Sequence, residues 1–143
     1  MIMHMKGSPK NMQQDPSYAA LIPEILEFMR TRIAFAVNAG IPEDRIVIDP
    51  GLGFGKTFDH NLEILHNLDK FTSLARPILV GPSRKAFIGK VLDNAPATER
   101  LEGTAAAVAI SIIKGANIVR VHDVKEMAKV AKVADAIKRE KIA

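Results

Sequence analysis

Arg120 and His122 stand two positions apart at the end of an apolar run, 117–121, just before a helical pattern begins. In an extended strand, alternate side chains share a face, so Ile118, Arg120 and His122 project the same way. A guanidinium beside an imidazole at a strand's carboxyl end suits an anionic ligand better than it suits packing. The alternative is a solvated pair at a loop edge. Asp123 is placed to cap the following helix, with Glu126 three residues later completing a capping-box-like pair.

Two further segments carry groups of this kind. Asp49 closes the apolar run 45–49, where its carboxylate can accept two parallel hydrogen bonds from an amidine-like edge, an amino group beside a ring N–H. A turn or capping role is the alternative. The residues after it, Pro50-Gly51-Leu52-Gly53-Phe54-Gly55-Lys56-Thr57, invite comparison with a phosphate loop, but Pro50 occupies a position where that pattern requires glycine. An acid at the strand end would also repel phosphate, so a nucleotide triphosphatase is excluded. In Gly81-Pro82-Ser83-Arg84-Lys85, the glycine lets a ligand approach the backbone. Ser83 is placed to cap a helical turn whose start favours a carboxylate. Lys85 offers three donors to a carbonyl oxygen or ring nitrogen. Taken alone, the Ser-Arg-Lys triplet also fits a solvated turn. His4 falls between inward-pointing methionines and is expected to face outward, whereas Met3 can serve both core and site. His60 and His66 lack the carboxylate–histidine spacing of a zinc site, and no metal-ligand set is expected.

These residues need a scaffold that brings strand ends together. Four apolar runs, 1–5, 45–49, 77–81 and 117–121, alternate with segments of helical period. The first helix is expected from Asp15 as cap and Pro16 at the first position, with a stripe of Ile22, Ile25, Leu26, Met29, Ile33 and Ala36 ending at Gly40. Asp59 is expected to cap a second, carrying Leu62, Leu65 and Leu68. A helical turn over 85–90 and a loop over 93–98 precede a helix over 99–114 that should bury Ala105, Val108, Ala109, Ile112 and Ile113. The last helix should bury Met127, Val130, Ala131, Ala134 and Ile137. Strict alternation of strand and helix implies an α/β fold with a parallel sheet. About 35 residues per unit approaches the ~31 of a (β/α)8 barrel. With four units, the chain is either a small open sheet or half of a barrel. In both, ligands bind at the carboxyl ends of the strands, where Met3, Asp49, Gly81, Lys85, Arg120 and His122 all fall.

Composition narrows the function. A chain of 143 residues, 48% hydrophobic with a net charge of +4, fits one globular domain. Its lysines are dispersed, with Lys125, Lys129 and Lys132 on the expected outer face of the last helix, and it has one tyrosine and no tryptophan for base stacking. Nucleic acid is therefore not the expected partner. The absence of cysteine removes thiolate chemistry and fits a reducing compartment. No run approaches the ~18 apolar residues of a membrane span, and no leader pattern opens the chain, so a cytoplasmic protein is expected.

The motifs Met3-His4-Met5-Lys6-Gly7-Ser8-Pro9, Asp49 to Lys56, Gly81-Pro82-Ser83-Arg84-Lys85 with Phe87-Ile88-Gly89, and Arg120-Val121-His122-Asp123-Val124 occur in the order seen in bacterial dihydropteroate synthases, which the chain resembles over its whole length. Arg100, Gly103 and Thr104 resemble that family's Arg-x-x-Gly-Thr or -Ser segment. The resemblance implies a (β/α)8 TIM barrel, of which residues 1–143 would form the second, carboxy-terminal half. It implies a transferase of folate biosynthesis that joins 6-hydroxymethyl-7,8-dihydropterin pyrophosphate to p-aminobenzoate, releasing pyrophosphate and 7,8-dihydropteroate. Asp49 would anchor the pterin's pyrimidine edge, and Lys85 would contact its oxygen or N5 beside the p-aminobenzoate. Ser83 would lie near the aryl carboxylate. Arg120 would pack on the pterin ring and, with His122, hold the departing pyrophosphate, while Met3, Phe54 and Gly81 would line the pocket. Lys85, Arg120 and His122 would be the catalytic set.

By the same resemblance, Mg²⁺ would be held through the pyrophosphate and by residues of the family's amino-terminal half, which this sequence lacks. Homodimerisation through helices of this half, association with the missing half, and a sulfonamide target are also implied. The chain alone is expected to have negligible synthase activity. Two other readings compete: a pterin-binding methyltransferase domain with a related barrel, and a non-catalytic half-barrel that needs a partner chain.

Overall fold

A computed structural model describes residues 1–12 and 14–140. It has four parallel strands in chain order: β1 (Ile2–Met3), β2 (Ile48–Asp49), β3 (Leu79–Val80) and β4 (Ile118–Val119). Between and after them run α1 (Leu21–Asn38), α2 (Phe58–His66), α3 (Ala86–Val91), α4 (Leu101–Ile113) and α5 (Val124–Arg139). Strand β1 pairs with β2, matching Ile2 to Ile48 and Met3 to Asp49, while β3 pairs with β4, matching Leu79 to Ile118 and Val80 to Val119. A parallel bridge from Ile48 to Ile78 joins the two pairs in the order β1-β2-β3-β4.

The strands are shorter than the apolar runs, because register bonds continue beyond them only at single residues. His4 N–H donates to Asp49 O at 2.9 Å and Arg120 N–H to Val80 O at 2.9 Å. One face of the array is closed by helices: Ile48, Ile78 and Val80 are buried with Ile25, Met29, Leu52, Ile64, Leu68, Phe71 and Phe87. A second cluster, Val108, Ile112, Met127 and Ala134, seals α4 against α5. The other face carries Met3, Asp49, Gly81 and Arg120, by the alternation of side chains along each strand.

Several local expectations are corrected. Asp15 does not cap α1; it adopts φ 47° in the connecting loop, and the helix starts six residues later, after Ala20. The effective start signals are Pro23, tolerated in the first turn because its missing N–H would have no partner there, and Glu24, whose carboxylate accepts from Ala20 N–H at 2.9 Å. Helix α2 is capped by Thr57 rather than Asp59: Thr57 Oγ1 accepts from His60 N–H at 3.2 Å, and His60 Nδ1 accepts from Thr57 N–H at 3.1 Å. That start buries Asn61, Ile64 and Leu65 and leaves Leu62 exposed. Leu68 is buried in the 3₁₀ segment that follows. In α4 the buried set is Thr104, Ala107, Val108, Ser111 and Ile112, and Ile113 is exposed. Its apolar residues run almost all the way round, so periodicity could not select the face. Ile137 of α5 is likewise exposed.

Core packing makes a simple forecast. Ile25 is 0% exposed and Phe35, on the same helix, is 68% exposed. In urea unfolding, Ile25→Ala should lose about 2–5 kcal/mol, whereas Phe35→Ala should stay within about 0.5 kcal/mol of the parent.

Candidate active site

The carboxyl ends of the four strands surround a cavity of about 230 Å³. Met3, Asp49, Phe54, Gly81, Ser83, Lys85, Arg120 and His122 all line it, together with Met1 and Val121. The eight residues singled out from the sequence therefore share one space.

Asp49 ends β2 and is buried. Gly51 N–H donates to its Oδ1 at 2.8 Å, taking one of the roughly four lone-pair positions of a carboxylate. Burial pushes its carboxyl up, against opposing pulls from the Gly51 amide and then from Lys85, Lys56 and Arg120. Lys85 reaches from the β3 loop to donate to Leu52 O and lies over the Phe54 ring, 4.9 Å from its centre. Burial lowers the Lys85 ammonium below its ordinary range; Asp49 opposes this and Arg120 adds to it. Gly81 lies against Arg120 on the floor, where a Cβ would make ordinary contact, 3.8 Å from Arg120 Cβ.

Ser83 does not cap the turn into α3. Its hydroxyl is buried and turned across to β4, 2.9 Å from His122 Nδ1, and it also accepts from His122 N–H at 3.2 Å. The imidazole is thus fixed by a hydroxyl from the neighbouring strand end. Asp123 likewise makes no side-chain cap to α5; its carboxylate is bound by the guanidinium of Arg84. A cap needs the acid to fold back on its own helix, and Arg84 offers it a charged fork instead.

His4 is the largest departure from the sequence-based expectation. It is buried, with Nδ1 2.9 Å from Lys56 Nζ and its ring 4.9 Å from Phe28 in an edge-on contact. Lys56 donates to Phe54 O at 2.9 Å and to Gly51 O at 3.2 Å. The ammonium that would face phosphate in a phosphate loop is here engaged internally, binding the loop to the end of β1. Gly51 permits that contact: its φ is +74°, and a Cβ would fall 1.9 Å from His4 O. Tyr18 adds a bond to Gly55 O at 2.7 Å, and Asn61 Oδ1 accepts from Gly53 N–H at 2.7 Å. Three alternate glycines before a lysine were the visible signal for this tightly packed loop. The histidine partner was not visible, because strand alternation alone turned His4 outward.

A second cavity of about 490 Å³ lies beside the first, lined by Leu52, Gly53, Phe54, Lys56, Phe58, Asn61, Lys85, Ala86, Phe87 and Lys90. Phe54 and Lys85 belong to both walls. An anion in one space and an aromatic group in the other would therefore meet at Lys85.

The buried histidine has a measurable signature. Burial, then Lys56 and Lys6, lower His4 from 6.5 to about 4, opposed by Glu24. Between about pH 4 and 6.5 the unfolded chain binds a proton at this ring that the folded chain does not. Stability must then rise with pH across that window and fall as the solution is acidified. The contribution is of the order of 3 kcal/mol. His4→Gln should show a shallower pH dependence than the parent in urea melts; identical slopes would contradict the assignment.

With this geometry in view, similarity to known proteins becomes specific. The pattern of the family described as pterin binding enzyme matches residues 1–122. The chain is 45% identical to dihydropteroate synthase of Synechocystis over 139 residues, 97% of this chain and 48% of that protein. It is 42% identical to the Escherichia coli enzyme over 135 residues, 94% of this chain and 48% of that one. The crystal structure of Yersinia pestis dihydropteroate synthase with a sulfonamide drug superposes with a TM-score of 0.94 at 41% identity, over 97% of this chain and 50% of the other. The Thermus thermophilus synthase in complex with 4-aminobenzoate gives 0.88 at 36%, over 94% and 55%. The chain thus spans about half the length of the relatives it matches. Its four βα units superpose on about half of the (β/α)8 TIM-barrel fold of those structures, and the chain belongs to the pterin-binding enzyme family.

Proposed function

We propose that this chain carries the pterin- and pyrophosphate-recognising half of a dihydropteroate synthase, corresponding to residues 1–143 as the carboxy-terminal half of the barrel. One observation carries the reading: Asp49, Lys85, Arg120 and His122 converge on a single cavity that shares a wall with a second one. The reaction breaks the bond between the pterin's methylene carbon and the pyrophosphate oxygen. It forms a bond from that carbon to the amine nitrogen of p-aminobenzoate, and the nitrogen gives up a proton. Positive charge spreads from the methylene into the pterin as negative charge gathers on the leaving group. Such chemistry needs rigid placement and anion stabilisation rather than a nucleophilic side chain.

The residues suit those tasks. Asp49, anchored by Gly51, would accept from the pterin's 2-amino and ring N–H edge. Arg120 and His122 would receive the pyrophosphate, with His122 aimed by Ser83. Lys85, lowered by burial, would donate to the pterin's oxygen or N5 and face the second cavity, where p-aminobenzoate or a sulfonamide would lie against Phe54. The Ser83 hydroxyl is already bonded to His122, which favours an indirect part for it over contact with the aryl carboxylate. Met3 and Gly81 shape the floor.

Magnesium would approach this chain only through the pyrophosphate. Among the described residues no cluster of three acidic, histidine or cysteine groups is placed to hold a metal, and Asp49 sits among Lys85, Lys56 and Arg120. Direct ligation of the ion by this chain's own side chains does not fit. The exposed Ile113, Val133 and Ile137 on α4 and α5 leave apolar surface that a homodimer, or the remainder of a barrel, would cover. Among the described residues no helix is long and apolar enough to cross a membrane, and the lack of cysteine fits a cytoplasmic enzyme.

Calorimetry tests the reading. The chain should bind 6-hydroxymethylpterin pyrophosphate, and Asp49→Asn should weaken it by roughly 10- to 100-fold, the loss of a charge-assisted pair of hydrogen bonds. Arg120→Gln should weaken inorganic pyrophosphate more than pterin. Equal affinities in parent and Asp49→Asn would contradict the proposal. Binding of a methylfolate with no response to pyrophosphate would move the protein to the methyltransferase reading. Alone, the chain should bind without turning over; turnover near that of a full-length synthase would refute that part.

A further inference from the structure

Of the two cations that follow Ser83, Lys85 lines the first cavity and Arg84 does not. Arg84 instead holds the left-handed backbone conformation, φ 57°, which is unfavourable for a residue with a Cβ. Three contacts oppose that cost. Its N–H donates to Thr104 Oγ1 at 3.0 Å, and its carbonyl accepts from Arg100 Nη1 at 2.8 Å. Its guanidinium grips both carboxylate oxygens of Asp123, with Nε 3.0 Å from Oδ2.

Thr104 is fully buried, and Arg100 lies so close over α3 that a Cβ on Gly89 would stand 2.4 Å from its Nε. Arg100 also donates to Ala95 O at 2.8 Å. The start of α4 therefore forms a firm backing for the β3 loop. Across the gap, Ser83–His122 and Arg84–Asp123 make two adjacent rungs between the loops after β3 and β4. The second rung is a charged, two-point bond, and it holds the Asp123 carboxyl below its ordinary range.

We propose that Arg84 is a positioning residue: backed by Arg100 and Thr104, it clamps the β4 loop through Asp123 and so sets Lys85 and His122 across one cavity. The guanidinium stands outside the cavity lining and spends two of its five donors on Asp123, so its part is to hold the loop. The functional weight of this clamp rests on the synthase reading above, but its geometry can be tested without substrate.

Long-range proton–nitrogen NMR of the imidazoles of the intact chain, with His122 assigned by its loss in His122→Gln, provides the test. In the parent, His122 should show one tautomer, fixed by Ser83. Arg84→Gln and Asp123→Asn should each give an averaged pattern, and Arg84→Lys, which keeps the charge without the fork, an intermediate one. His60, bonded within its own helix cap, should be unchanged in every variant. Should Arg84→Gln fail to fold, Asp123→Asn and Arg84→Lys give the answer. Inorganic pyrophosphate should bind about tenfold more weakly to Arg84→Gln, the coupling expected between contacting groups. A His122 pattern in the clamp variants identical to that of the parent overturns the proposal. A parent that fails to bind pyrophosphate counts against the synthase reading, and the imidazole spectra then decide the role of Arg84 by themselves.

Discussion

The parallel bonds between neighbouring strand ends are the constraint on which everything else depends. His4 N–H to Asp49 O, Ile48 N–H to Pro77 O and Arg120 N–H to Val80 O bring four strand termini to one level. Parallel pairing demands a crossover after every strand, so each terminus must open into a loop on the same side. Those loops let the polar groups of the site meet while the strand backbone keeps its own partners. The site follows from topology first and from side chains second.

Short strands alone would hold such loops weakly, and the chain compensates with side-chain ties. Lys56 and Tyr18 pin the glycine loop to the segment after β1, and Ser83 and Arg84 pin the β3 loop to the β4 loop. These ties also set the electrostatics. One buried carboxylate, Asp49, faces Lys85, Lys56 and Arg120, which leaves the rim positive overall while giving a heterocycle one acceptor to grip. A preorganised rim of that kind stabilises departing negative charge without rearranging at the moment of reaction.

Much of this was legible in the sequence. Strand–helix alternation gave the α/β class and the four units, and the unusual residues at strand ends gave the cavity, because strand polarity fixes where loops open. What was hidden depended on contacts between distant segments. Strand alternation sets His4 opposite Met3, and that face is covered: α1 brings Phe28 against the ring, and Lys56, fifty-two residues away, bonds its Nδ1. Asp123 looked like a helix cap until Arg84 was placed beside it. The start of α1 moved because Glu24 and Pro23 outweigh Asp15, a competition between two plausible starts that only packing decides. In α4, an almost uniformly apolar helix offered no stripe from which its buried face could be read.

Amide shift mapping tests the central claim most directly. When 6-hydroxymethylpterin pyrophosphate is titrated into the nitrogen-labelled chain, the amides of Met3, Asp49, Gly81 and Arg120 should shift along one shared saturation curve, since the four strand ends bound a single space. Shifts confined to the outer faces of α4 and α5, or separate dissociation constants for the four residues, would contradict the account.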